Sequence, residues 1–213
     1  MSDPAFKEEL VRPLRRLLTT LTAAAAASVV ALALAQPAQA APIDLVFANT
    51  TGTTFLAKQK VTAAIPTSVV KTSIDLDAKT LTGTAEIPDL TVHLKLASLI
   101  PTTSIVRIVP QGGLTGTVDL GANTLSTTTT FKLRVLRVFQ DSLPGLNLVS
   151  PGCTTRAATS ATLRNTTPID IFSTTTVEGT YKIPAFTHCG LLTPLLTTLL
   201  AGDGNKLTLN LKG

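Results

Sequence analysis

Tryptophan is absent from the chain, tyrosine and methionine occur once each, histidine and cysteine twice, and aromatic residues make up only 4% of it. Charge is also thin: Asp, Glu, Lys and Arg together are 15%, and over residues 41–213 they stand singly rather than in blocks. Each scarcity closes off a class of function. Proteins that hold single-stranded nucleic acid stack bases on aromatic rings within a clustered basic surface. The formal net charge is +5, but neither rings nor cluster accompany it, so no nucleic-acid partner is expected. Two histidines are few for acid–base or metal chemistry, and the Gly-x-Ser-x-Gly, His-Glu-x-x-His and papain-like cysteine motifs are all missing. No catalytic residue, metal site or cofactor is therefore assigned, and the chain is not expected to be an enzyme.

The isolated polar candidates read the same way. His93 lies between Val92 and Leu94 on the polar face of a strand pattern, with no Ser, Asp or Glu placed by spacing to act with it. His188 adjoins Cys189 and reads as a loop-fixing residue, since a zinc site there has too few ligands. Asp75 and Asp77 flank Leu76 as a charged hairpin end, short of the six to eight oxygens that calcium takes. The glycosylation sequons at Asn49 and Asn165 come cheaply in a threonine-rich chain.

What is present begins with a leader. Lys7, Arg12, Arg15 and Arg16 precede an apolar run over residues 17–35, and Ala38-Gln39-Ala40 follows before Ala41. That order of basic, apolar and small-residue regions is a secretory signal peptide over residues 1–40, cleaved after Ala40. Residues 41–213 are then expected to form a single domain without a transmembrane anchor, secreted or held at the cell envelope. No cysteine stands at the cleavage site for lipid attachment, and no apolar tail ends the chain. Cys153 and Cys189, 36 positions apart in a chain marked for export, are expected to form a disulfide. Redox work would want the closer Cys-x-x-Cys spacing.

From Pro42 onward, short alternating runs are separated by Pro, Gly and Asx residues, and threonine is the dominant polar residue. Its branched Cβ suits a pleated surface with one wet face. Val92, Leu94 and Leu96 face one way, with Thr91, His93 and Lys95 facing the other. The longest strand pattern covers residues 127–139, where Leu136 and Val138 shift the apolar phase by one and imply a bulge near Val135-Leu136. Two echoes occur: residues 118–126 repeat the pattern of 74–82 as a hairpin used twice, and 179–186 repeat 83–90. The one helix signal is at Thr193-Pro194, with Thr193 as cap, Gly202 as left-handed terminator and a turn at Asp203-Gly204. Leu207, Leu209 and Leu211 then alternate as a closing strand. About ten to twelve short strands and one short C-terminal helix before the last strand predict an all-β, two-sheet β-sandwich, Ig-like or jelly-roll-like, with a closed barrel as runner-up.

Two surfaces are candidates for function. Lys132, Arg134 and Arg137 would form a basic ridge on the outer face of the long strand, able to meet an anionic envelope polymer or lipid. The alternative is surface charge that keeps a sheet soluble. Leu191, Leu192, Leu195, Leu196, Leu199 and Leu200 form either a plug for the open end of the domain or the wall of an apolar pocket.

The Ala-rich leader, the strand Gly179-Thr180-Tyr181-Lys182-Ile183-Pro184 leading through Phe186 to Cys189-Gly190-Leu191-Leu192, the Gly202-Asp203-Gly204-Asn205 segment and the paired Cys153 together carry a resemblance. The chain resembles a family of secreted, functionally uncharacterised β-rich proteins of actinobacteria. The resemblance implies export, a β-sandwich and one disulfide, and transfers no catalytic or binding residues. The expected function is a non-catalytic domain acting by binding or structural interaction. The alternatives are a carrier of a lipid or other apolar ligand, and a hydrolase with an unrecognised site. A continuous apolar cavity would favour the carrier, a His–carboxylate contact in a cleft the enzyme, and a filled core the binding module.

Overall fold

The computed structural model describes residues 41–96, 99–170 and 172–212. The expected signal peptide lies outside them. Alternation in the sequence becomes twelve strands: β1 (Ile43–Leu56), β2 (Val61–Asp75), β3 (Thr80–Glu86), β4 (Leu90–Leu96), β5 (Ile100–Pro110), β6 (Leu114–Asp119), β7 (Thr124–Gln140), β8 (Thr154–Thr155), β9 (Thr159–Asn165), β10 (Thr174–Ile183), β11 (Phe186–Thr187) and β12 (Gly202–Lys212). A 3-10 turn over Gly190–Leu192 leads into the helix α1 (Thr193–Leu200).

The chain is all-β, as expected, but its strands do not separate into two sheets. Hydrogen-bonded neighbours run β7, β6, β3, β2, β1, β12, β10, β9, and β9 pairs back onto β7 through Ser126–Phe131 and Thr159–Arg164. The result is a closed eight-stranded antiparallel barrel, the architecture ranked second from the sequence. Alternation of buried and exposed residues is the same in both architectures, so it could not separate them. Closure depends on β7, which is long enough at 17 residues to serve two roles. Its first half sits in the barrel between β6 and β9, while its second half pairs with β5 and touches β8. The expected bulge is present. Ile105 pairs with Arg137 and Val106 with Val135, leaving Leu136 as the extra residue.

Both sequence echoes have structural causes. Asp75 and Asp119 each accept a hydrogen bond through Oδ1 from a backbone N–H three residues on, that of Ala78 at 2.8 Å and of Ala122 at 3.0 Å. Lys79 and Asn123 then both adopt φ of 53°. The hairpins β2–β3 and β6–β7 thus share one turn and lie side by side, bridged by Lys79 Nζ to Asp119 Oδ2 at 2.7 Å. In the second echo, Gly83 and Gly179 mark close approaches of neighbouring strands: a Cβ on either would collide with the carbonyl oxygen of Lys71 or Thr162, respectively. Glycine at such points lets a strand bend, which a closing sheet requires.

The C-terminal closure differs in detail from expectation. Helix α1 spans eight residues, near the two turns read from the sequence, and begins at Thr193 with Leu192 as its cap. The Thr193 hydroxyl instead accepts the Cys189 N–H at 3.0 Å and donates to the Gly190 carbonyl at 2.9 Å. Gly202 is not the terminator, because Ala201 is already extended and Gly202 opens β12 opposite Ile183. Asp203-Gly204 is a bulge within β12, where the register slips between Tyr181 and Ile183, with Gly204 at φ of 80°. The last helical carbonyls find partners outside the helix: Lys58 Nζ donates to Thr198 O at 3.0 Å and Gln59 Nε2 to Leu199 O at 3.1 Å, both from the β1–β2 turn. Cys153 and Cys189 form the expected disulfide, fully buried beside the β8–β11 pair.

Candidate functional site

Closing a barrel sends every second side chain into one interior, and here that interior is apolar without being full. A cavity of about 320 Å³ runs through it, bordered by residues such as Phe47, Val70, Leu94, Phe131, Val177 and Leu209. None of the described residues that border it is charged or a histidine. One end of the barrel is shut by α1, whose Leu196 is 1% exposed, together with Phe186. At the opposite end lie the start of β1 and the β2–β3 and β6–β7 turns. There Ile43, Leu76 and Leu120 border the cavity while remaining 44%, 41% and 55% exposed, so the lumen reaches solvent between them. A second exposed border lies at Thr84, Pro110 and Gly112, beside the β5–β6 turn.

A few polar atoms interrupt this lining. Thr54 Oγ1 and the Tyr181 hydroxyl share a hydrogen bond of 2.6 Å, and Thr54 also donates to the Lys206 carbonyl at 3.1 Å. Burial pushes the Tyr181 phenol above its ordinary pKa, with the Thr54 hydrogen bond pulling partly back. Asn205, buried outside that lining, spends its amide on the carbonyls of Tyr181 and Gly202 and accepts the Ala57 N–H. Thr72 Oγ1 on β2 and Ser104 Oγ on β5 are different: both are buried, both residues border the cavity, and neither oxygen has a hydrogen-bond partner among the described residues. Neither was singled out in the sequence. The available signal was phase, since Thr72 falls between Val70 and Ile74 on the inward side of β2.

Of the six leucines expected as plug or pocket wall, the structure unites three with the core. Leu196 is buried, Leu192 and Leu200 pack against it partly exposed, and Leu196 and Leu200 also border the cavity. Plug and wall are therefore one structure. Leu195 and Leu199 are half-buried, and Leu191 is 97% exposed, outside the plug altogether.

Lys132, Arg134 and Arg137 do share the outer face of β7, opposite Val109, Arg107 and Ile105. The two arginines are also engaged locally. Arg134 Nη2 donates to Pro151 O at 3.1 Å, Arg137 Nη2 donates to Pro144 O, and the Arg137 guanidinium lies 4.7 Å from the Phe139 ring centroid. They brace the loop after β7 against the strand that carries them.

His93 acquires partners that spacing did not reveal, because β4 and β5 pair it directly with Thr103. Its Nδ1 lies 3.0 Å from Thr103 Oγ1, which donates to Asp141 Oδ1 at 2.7 Å. This clasp sits on the outer face, and the carboxylate meets the threonine rather than the imidazole. His188 has φ of 59° beside the disulfide. Among the described residues, no three His, Cys, Asp or Glu side chains gather as a metal site. Asn165 accepts the Leu125 N–H and donates to Asn123 O and Thr167 O, so its amide stitches β9 to the β6–β7 turn.

Fold and lumen together define an antiparallel barrel with a hydrophobic, solvent-connected interior. The chain matches no protein-family model, no curated protein and no solved structure.

Proposed function

We propose that this chain is an exported, non-catalytic carrier that shelters an apolar ligand in the lumen of its barrel, working outside the cell or at its envelope. The cavity is the observation that supports this reading. Void volume in a protein core costs roughly 24 cal/mol per Å³, so an empty space of about 320 Å³ would forgo about 8 kcal/mol of packing. That rivals the whole stability of a typical domain, about 5–15 kcal/mol. An apolar ligand recovers that loss. An engineered cavity of ~150 Å³ accepts benzene, so this lumen suits about a dozen carbons, near the lower bound of small-molecule pockets at ~300 Å³. The leader and the disulfide suit an oxidising destination.

The test is titration of the folded domain with an environment-sensitive anilinonaphthalene probe. One saturable site per chain, displaced by 1-decanol, is the expected result. Absence of saturable binding overturns the carrier reading.

A second, compatible reading is retention at the envelope through the outer face of β7, where Arg134 stands opposite Arg107 and next to Lys132. The partner would be an anionic polymer or lipid headgroup.

A further inference from the structure

The twin hairpins end at the mouth of the lumen, and one residue of their shared pattern is not explained by the turn. Asp75 and Asp119 close the two turns through the Ala78 and Ala122 N–H groups, and Lys79 and Asn123 take the left-handed positions. Nothing in that construction requires a leucine side chain. Yet Leu76 and Leu120 follow the two aspartates, where turns ordinarily carry polar residues. What they continue is the lumen wall. Ile74 and Val118 are buried residues of β2 and β6 that border the cavity, and Leu76 and Leu120 stand two places on, in the same inward phase. Ile43 does the same at the start of β1, in phase with Leu45 and Phe47 and opposite Ile74. The two turns are held side by side, with the Val118 N–H donating to the Lys79 carbonyl at 3.1 Å. All three side chains border the cavity although about half of each is exposed. A single exposed leucine is ordinary, but a group of them continuous with an apolar cavity marks a binding surface.

The cavity is drawn out along the barrel, bordered on β1 alone from Ile43 through Phe47 and Thr54 to Leu56. About 320 Å³ spread over that length suits one extended chain, not fused rings. Beyond the last buried residues, Leu76 and Leu120 add one more inward step to the wall, about 7 Å of strand, which is the length of several methylenes. The other exposed border, at Thr84, Pro110 and Gly112, offers a ligand far less apolar surface.

Resting on the carrier reading, we infer that Ile43, Leu76 and Leu120 form an apolar collar that lengthens the binding site beyond the barrel, and that the ligand is a single alkyl chain longer than the roughly dozen carbons the lumen holds. The chain enters tail first. Its inner carbons fill the lumen as far as Leu196 and Phe186, and its outer carbons lie across the collar. A polar head on such a molecule stays in water and keeps its hydration. A ligand of this length covers the leucines of both turns, which a shorter one held inside the lumen does not.

The experiment displaces the anilinonaphthalene probe from the folded domain with decanoate, dodecanoate, tetradecanoate and hexadecanoate at pH 8, each below its micellar concentration. Each methylene up to dodecanoate should tighten binding about fourfold, the worth of full burial. Each further one should add about twofold, because the collar covers one side of the chain only. In the variant carrying Ile43→Ser, Leu76→Ser and Leu120→Ser, hexadecanoate should bind about 10-fold more weakly while decanoate changes less than about twofold. Leu120→Ser alone, at the most exposed of the three, should show the same selectivity at about threefold. Hexadecanoate binding no tighter than dodecanoate overturns the inference and leaves the carrier standing. So does an equal loss for both chain lengths in the variants. A triple variant that keeps its hexadecanoate affinity but no longer sediments with neutral phosphatidylcholine vesicles also overturns it, and gives the three side chains to a lipid surface instead. Failure of every alkanoate to displace the probe, or of the probe to bind, overturns both.

Discussion

Thr54 Oγ1 and the Tyr181 hydroxyl, 127 residues apart in the chain, meet at 2.6 Å inside the barrel. They come from β1 and β10, which never touch as a pair; β12 runs between them and joins both. Their contact therefore reports that β12 is docked and the interior closed.

That contact gives the barrel a response to alkali. The folded Tyr181 pKa is raised by burial, so its stabilising contribution is complete below the unfolded value of about 10 and is lost as pH rises through the folded value. Denaturant midpoints should be flat through pH 9 and fall above it. Tyr181→Phe should cost about 0.5–1.5 kcal/mol at neutral pH and reduce the alkaline fall. An identical alkaline profile in the variant would show that Tyr181 is not its source.

Leucines of α1 and of the 3-10 turn before it should separate sharply by position. Leu196→Ala should lower stability by about 2–5 kcal/mol, because its side chain closes the barrel end. Leu191→Ala should change it by less than about 0.5 kcal/mol, because that side chain is exposed. Urea unfolding of both variants checks this, and comparable losses would mean that the helix seats differently.

Replacing Cys153 and Cys189 together by Ser should cost about 2–5 kcal/mol. The bridge ties β8 to the segment entering α1, so loss of the bridge should also speed hydrogen exchange in that helix before the barrel strands follow. Unchanged exchange in α1 would show that the Thr193 and Thr197 hydrogen bonds hold it unaided.

If the outer face of β7 retains the protein at the envelope, adhesion to anionic vesicles should be weak and salt-sensitive, since exposed charges are screened over ~8 Å at physiological salt. The triple replacement of Lys132, Arg134 and Arg137 by Gln should abolish it at low salt. Undiminished adhesion of a folded triple variant rules that face out.

Much of this architecture was legible because one face of each strand is buried and one wet. The bulge at Leu136 followed from a break in phase, and the twin hairpins from a repeated Asp and turn. The long reach of β1 and β2 did not. Gly52 and Pro66 are of the residue types that separate the runs, yet they lie together at a double slip in the β1–β2 register, where a missing N–H is tolerated. Barrel closure was illegible for a plainer reason: whether β7 pairs with β9 depends on strand length and bending, not on alternation. Thr72 and Ser104 were hidden by composition, since in so threonine-rich a chain a hydroxyl on the inward phase looks like one more surface residue.

The most direct test of the central claim is the native mass of the protein purified under non-denaturing conditions from the host that makes it. A filled lumen predicts the mass of residues 41–213 plus one apolar molecule per chain, released on denaturation and extractable into organic solvent. The bare polypeptide mass, together with no binding of 1-decanol by the same preparation, would contradict it.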